Sequence, residues 1–556
     1  MPRRSSVWLL LFIPLFMTIA LSTRGQATGD TPLVAAAKNG DLTAVRALIA
    51  KRADVNQLAS DGSTPLLWAV YQSNPEIVRA LVAAGARVNV ANRYGITPLL
   101  QASRTGDAAI MSVLLKAGAN VKQAHPDGET PMMAAARSGR IEAVRLLIEA
   151  GADVNAADTY QEETALMWAS AEGHTDVVQA LLKAGADPNL TARATTIYER
   201  KHADHPSGGF TALMFAARNG HEAVVRTLVQ GGANPNIYNE DGVTATIVAI
   251  VNDRFDLAKV LLDLGAKPND GSLYFAVDMH DATIDMRARD GSRLRADHPN
   301  TLTALDLIRV LLDRGADPNQ AFVGQLHSTT LCCSEDINAS PFFRAAQASD
   351  VEALKLMLAK GAQVEWSPTD VKKDKDKDGA GGGRGNPNVG KTPIMLAMVG
   401  GRGASFAAGP GFDRLGPPPF RESANREPAD AVKALLAAGA NPNVKAPDGS
   451  TPLHQAVQAR QIAIIRALVG AGAKLDAVNK DNLTPLQLAE KPEPPPPPGN
   501  NTDSRTFRPK RDSREDVIAA VRDLMHLGPN DPTPVPPAVE PPKNPEAEKK
   551  TTEGTR

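Results

Sequence analysis

The stretch Gly385-Asn386-Pro387-Asn388-Val389-Gly390-Lys391-Thr392 has the residue types and spacing of a phosphate-binding loop. In such a loop backbone N–H groups, a lysine and a hydroxyl cradle nucleotide phosphates. The loop works only between a buried strand and a helix, yet Lys377 to Arg384 before it is rich in charge and glycine. The match is read as coincidence, and no nucleotide is expected. Asp374, Asp376, Asp378 and Gly379 open like a calcium loop, but Gly385 stands where the closing bidentate Glu belongs. His202 and His205 have no further His or Cys near them at metal-ligand spacing. Cys332 and Cys333, the only cysteines, are adjacent. They could close a strained vicinal disulfide, but two inert thiols are the simpler reading. Ser, His and Asp are scattered without a nucleophile–base constellation. No catalytic residue, cofactor or metal is therefore assigned.

The elements that would have to position such residues are revealed by internal repetition. Thr31-Pro32-Leu33 recurs as Thr64-Pro65-Leu66, Thr97-Pro98-Leu99 and Thr130-Pro131-Met132, with 33 residues between successive threonines. The phase continues at Thr164, Thr211 and Thr244, and returns at Ser340, Thr392, Thr451 and Thr484. A second marker, Gly-Ala, occurs at 85, 118, 151, 185, 232, 265, 315, 361, 439 and 472, usually with Asn four residues after the Gly. Thr before Pro is a helix N-cap followed by proline at the first helical position, where its missing N–H costs nothing. A short helix then ends at a glycine suited to left-handed backbone, as at Gly40, Gly106, Gly139, Gly173 and Gly220. The second helix carries Val144, Leu147 and Ile148 on one face. Asp-Gly at 61–62, 127–128, 241–242 and 448–449 marks the tips of the connections. No such pair can bury its apolar face alone, so stability must come from stacking.

Two phased markers over about ten copies resemble the ankyrin repeat, and the resemblance covers roughly residues 28–527. It implies an all-α solenoid of about twelve helix-turn-helix units with short β-hairpin fingers, several insertions and a disordered C-terminal tail. Repeats 1–7 would occupy 28–271, degenerate repeats 8–9 would occupy 272–366, and repeats 10–12 would occupy 390–527. A Gly/Lys/Asp-rich insertion lies at 367–389 and the tail at 528–556. Further insertions fall at 190–209, 279–302 and 400–428, and Pro494 to Pro498 split the last unit. The histidine of the family tetrapeptide survives only as His454, which puts its inter-repeat hydrogen bonding in doubt elsewhere. Polar Arg514, Asp516, Arg522 and Asp523 would give the stack a wettable end.

In this family ligands usually meet the finger tips and the exposed end of the first helices. Counting seven residues past each Thr gives Lys38, Tyr71, Arg104, Arg137, Ala171 and Arg218, and the tips add Arg93, Tyr94, Tyr160 and Phe210. Tyr and Arg concentrate binding energy because they combine contact area with hydrogen bonding. These residues predict a basic-aromatic stripe along units 1–6 that takes an acidic or extended protein partner, with a merely soluble concave face as the alternative. Trp68, Trp168 and Phe215, four residues past their Thr, are expected to pack between repeats instead.

Composition agrees with a binding role. Of 556 residues, 61 are basic and 62 acidic, so the charge balance points to neither nucleic acid nor an anionic membrane. Arg3 and Arg4, the apolar run Val7 to Leu21 and the small-x-small triplet Gly25-Gln26-Ala27 read as a secretory signal over 1–27. An uncleaved membrane anchor is the alternative reading of this segment, and no later segment is apolar enough to span a bilayer. The reading is an exported scaffold, periplasmic or extracellular, that is not an enzyme. A structural tether of the envelope is the alternative, and an enzyme hidden in the insertions comes third.

Overall fold

A computed structural model describes residues 30–193, 208–281, 300–324, 337–368, 389–398, 427–492 and 511–535. The chain divides into two compact bodies, Met1–Pro126 and Asp127–Arg556. Among the described residues are twenty-four helices in twelve consecutive pairs, three in the first body and nine in the second. That is the number of units read from the markers.

Each pair forms for the reason its sequence gives. Thr130 is extended (φ −89°, ψ 160°), and its Oγ1 accepts from Met133 N at 3.2 Å to start the helix Pro131–Ser138. Thr64 and Thr97 cap Pro65–Tyr71 and Pro98–Thr105 in the same way, each bond 3.1 Å long. Gly139 closes the first helix of repeat 4 with φ 69°. Where glycine is missing, Ser73, Asp253, Ser349 and Arg460 adopt positive φ instead. Helices of seven to ten residues are too short to persist alone in water, so burial must hold them. Val144 and Leu147 of Ile141–Glu149 are wholly buried, as are Val177, Val178 and Leu181 of Thr175–Lys183. Within each body, first helices touch neighbouring first helices and second helices touch neighbouring second helices.

The asparagine marker has a mechanical role. Asn236 Nδ2 donates to Gly265 O at 3.2 Å, and its Oδ1 accepts from Lys267 N at 2.8 Å. Asn155, Asn189, Asn269, Asn319 and Asn443 make the same two-bond clip to the next repeat in the second body. Asn56 and Asn89 do so in the first. Glu365, which breaks the Asn position, still accepts from Asn441 N at 2.6 Å.

The fingers are tight turns rather than strand ladders. Two main-chain bonds close several of them, as in Asn92 N to Ile96 O (3.1 Å) with Gly95 N to Asn92 O (3.0 Å), and Asn239 N to Val243 O with Gly242 N to Asn239 O (both 3.0 Å). The one described two-stranded sheet pairs Phe322–Gly324 with Ile337–Ala339, antiparallel, in the long finger of repeat 9. Repeats 8 and 9 keep their helix pairs although their sequence markers are weak. Their interior keeps buried apolar residues such as Phe275, Leu307, Leu311, Phe342 and Leu354 and adds polar pairs to them. Arg344 Nε donates to Asp278 Oδ1 at 2.8 Å, with both side chains almost wholly buried, and His280 Nδ1 lies 2.5 Å from Asp350 Oδ2.

The C-terminal end corrects two expectations. Residues 528–535, read as the start of the tail, lie against the last repeat. Arg522, read as part of a wettable end, donates to Gly528 O (3.1 Å) and Asp531 O (2.9 Å) and pairs with Glu490 Oε1 (2.7 Å). Thr533 Oγ1 donates to Glu490 Oε2 at 2.7 Å. One guanidinium with five donors can hold a turn of chain that has no apolar anchor of its own. The signal at 1–27, the His202–His205 pair, the calcium-like loop and both cysteines lie outside the described residues. Of the phosphate-loop match, Thr392 stands at the N-cap of the five-residue helix Pro393–Ala397, as the first helix of repeat 10 requires.

Candidate functional site

The surface read as partner-facing is built where first helices end and fingers begin. In the first body, Lys38 ends the helix Pro32–Lys38 with its Nζ 4.6 Å from the Trp68 ring and 3.2 Å from Asp30 Oδ2. Trp68 leans on Tyr71, ring centroids 5.6 Å apart. Burial raises the pKa of the Tyr71 phenol, Arg104 opposes this, and Asn92 hydrogen-bonds to it. Tyr71, Arg104 and Asn92 thus come together, and Lys38 joins them through Trp68. Arg93 sits beside the preceding finger, its N–H donating to Asp61 O at 3.0 Å. Tyr94 projects from its tip, 68% exposed.

In the second body, Arg137 lies 4.7 Å from the Trp168 ring, with Nε 3.8 Å from Glu172 Oε1. Arg218 covers Phe215 at 5.2 Å. Burial lowers the pKa of Arg218, and Glu163 opposes this. Glu163 itself is raised first by burial and then by Asp158, while Arg218 and Arg137 pull it down. The stripe is therefore a mixed-charge surface whose cations are already engaged by aromatics and carboxylates. Tyr160 stands out from its finger, 72% exposed.

Phe210 corrects the sequence reading. It is 5% exposed, turned inward edge-to-face against Phe215 with centroids 5.5 Å apart. Its finger is drawn down because Ala192 N bonds Phe210 O at 2.9 Å. Trp68, Trp168 and Phe215 pack as expected, each beneath a cation.

A further set was given no role by sequence reasoning, which read His174 and His221 as ordinary residues at the start of the second helix and passed over Arg254. His174 Nε2 lies 3.1 Å from Arg137 O, His221 Nε2 lies 3.1 Å from Ala171 O, and Arg254 Nε donates to Arg218 O at 3.0 Å. Each reaches back to the end of the preceding first helix and so fixes the carbonyl of the residue seven past its Thr, Arg137, Ala171 or Arg218. Their shared position, just before the second helix, was the available signal. Arg254 lacked the histidine that would have advertised it. His454 acts elsewhere. Its Nδ1 accepts from Thr451 N at 3.2 Å, which leaves the proton on Nε2 for Leu483 O at 3.0 Å. Burial lowers its pKa and favours this neutral form. In repeats 4 and 5 the sulfurs of Met133 and Met167 take the same cap N–H, at 3.4 and 3.5 Å. Apolar packing thus replaces only the inter-repeat half of the histidine's work.

Exposed large apolar side chains sort by position. Among the described residues they are Leu58, Tyr71, Tyr94, Tyr160, Tyr238 and Val535, and four of these six lie on fingers. No group of acidic, His or Cys side chains suited to a metal is present among the described residues. No described helix is long and apolar enough to cross a membrane.

Stacked helix pairs, capped at Thr and clipped at Asn, define a repeat module that presents surface. The chain belongs to the ankyrin repeat family. The family profile, described as ankyrin repeats in three copies, matches residues 9–92, 74–158, 99–192, 196–272 and 422–492, more than half of the chain. Similar solved structures include the human ASB11 ankyrin repeat domain, 27% identical, covering 43% of this chain and 99% of that one, with a TM-score of 0.36. Another is the ankyrin repeat domain of Bcl-3, a member of the IkappaB protein family, 29% identical, covering 42% of this chain and 99% of that one, with a TM-score of 0.36. No curated protein matches the chain. Members of this family are generally protein–protein interaction modules, typically without enzymatic activity.

Proposed function

We propose that this chain is an exported scaffold that binds a protein partner through its finger tips and the adjoining ends of its first helices. The observation that carries the reading is the placement of exposed tyrosines on the fingers, Tyr94, Tyr160 and Tyr238. Their rings contribute little to the core, whereas tyrosine is among the residues that dominate interface energies. Lys38, Arg137 and Arg218 flank them on rigid helix ends, where aromatic stacking limits their rotamers and the entropy lost on binding, and Arg104 stands near Tyr71. Export rests on the basic, apolar and small-residue segments of 1–27.

The test is capture from envelope extract by the full chain and by Tyr94→Ala, Tyr160→Ala and Arg137→Ala variants, with the exposed second-helix substitution Lys183→Ala as control. One soluble protein should be retained by wild type and control and weakened by each surface variant. Equal capture by all variants overturns the surface, and recovery of wall or membrane material favours a tether. Sequencing the N-terminus of the exported product should begin at Thr28. An intact Met1 would refute cleavage.

A further inference from the structure

The connection between repeats 7 and 8 is shorter than its counterparts. Thr244 follows Gly232 by twelve residues, whereas Ser272 follows Gly265 by seven and starts the helix Ser272–Asp281 directly after an Asp-Gly turn. A cavity of about 200 Å³ lies against this shortened connection. Asp270 forms part of its lining and is only 5% exposed. One carboxylate oxygen accepts from Ser272 N at 2.9 Å and the other from Thr244 Oγ1 at 2.5 Å. The walls are aromatic: Tyr238, Tyr274 and Phe322 all line the space. Tyr274 and Phe322 stack at 6.0 Å with 22° between planes. Gly271, at φ 104°, lets the Phe322 ring approach, since a Cβ there would lie 2.5 Å from it. Asp317 and Gln320 complete the polar rim, and no lysine or arginine is among the lining residues.

Two carboxylates and three π faces with no resident cation have the complementarity of a receptor for positive charge, because ring faces and carboxylates both attract it. Burial pushes the Asp270 carboxyl up, and burial followed by the Asp270 charge raises the Tyr238 phenol. An entering cation would oppose both shifts.

We infer that this cavity receives a basic side chain, lysine or arginine, of the protein partner, with Asp270 as counter-ion and Tyr238 as an exposed wall. The inference rests on the reading of the fingers as the partner-facing surface, and it specifies the chemistry of one contact.

It can be tested without the partner. The full chain is titrated with an acetylated, amidated Gly-Gly-Lys-Gly-Gly peptide and with its norleucine counterpart, followed by NMR of the peptide. Saturable binding of the lysine peptide alone is expected, at least tenfold weaker in Asp270→Asn. That change keeps an acceptor for Ser272 N while removing the charge. Tyr238→Ala, at a half-exposed position where folding is insensitive, should weaken it severalfold and carries the test should Asp270→Asn unfold. Equal binding of the norleucine peptide, no binding to wild type, or unchanged affinity in the variants would overturn the inference. Partner capture that survives such a result leaves the scaffold reading standing, whereas loss of capture in finger variants elsewhere bears only on that reading.

Discussion

Replacing Asn236 by alanine removes both bonds of one inter-repeat clip, the 3.2 Å donor bond to Gly265 O and the 2.8 Å acceptor bond from Lys267 N. A net intramolecular hydrogen bond contributes about 0.5–1.5 kcal/mol, so two give about 1–3 kcal/mol. The clip is exposed, and water can replace part of it, which places the expectation near the lower end, about 1 kcal/mol. The comparator is Leu228→Ala on the second helix of repeat 6, where a wholly buried side chain should cost about 2–5 kcal/mol. Because repeats couple mainly to neighbours, the loss falls on the interface between repeats 6 and 7. Urea unfolding should therefore show a lower midpoint, and amide exchange at Lys267 should accelerate while that at Ala258, inside the preceding helix Phe255–Asp263, changes less. An Asn236→Ala protein with an unchanged midpoint and unchanged Lys267 protection would refute the clip as a source of stability.

Two further predictions come from the same stitching. Gly173→Ala forces a side chain into left-handed backbone (φ 83°) and places its Cβ 2.7 Å from the His221 ring. Strain of about 1–2 kcal/mol and loss of the bond from His221 to Ala171, about 1 kcal/mol, should together lower thermal stability. Calorimetry checks it, and a variant as stable as wild type refutes it. His454 is held neutral with its pKa below the ordinary value. The unfolded chain therefore takes up the proton first as pH falls. The stability that His454 contributes is complete above about pH 6.5 and is lost as pH drops through the lower folded value. In repeat 12, Gln487 already fills the equivalent place, its Oε1 accepting from Thr484 N at 3.0 Å. His454→Gln should thus keep the cap, and its urea midpoint should fall less than that of wild type between pH 7.5 and 4.5. Parallel curves would sink the assignment.

The repeats were legible because their rules are local. A threonine cap, a proline at the first helical position and a glycine able to take positive φ each act within a few residues, so their spacing identifies twelve helix pairs. Repeats 8 and 9 were faint for a physical reason. There the pairs Asp278–Arg344 and His280–Asp350 stand beside the apolar core, and partners 66 or 70 residues apart leave no periodic trace. Phe210 was misjudged in the same way. Finger position implied exposure, but only the fold shows that Phe215 lies within reach.

Sequence alone thus determined the architecture, the number of units, the positions of their caps and the residue types offered at each finger. Tertiary structure decided which of those residues are engaged. Lys38, Arg137 and Arg218 turn out to rest on aromatic rings, Arg522 to hold a strap of chain, and Asp270 to line a cavity beside a shortened connection. The division follows from range. Caps and turns are set by bonds between residues three or four apart, whereas stacking, ion pairing and cavities depend on segments brought together only when neighbouring repeats pack.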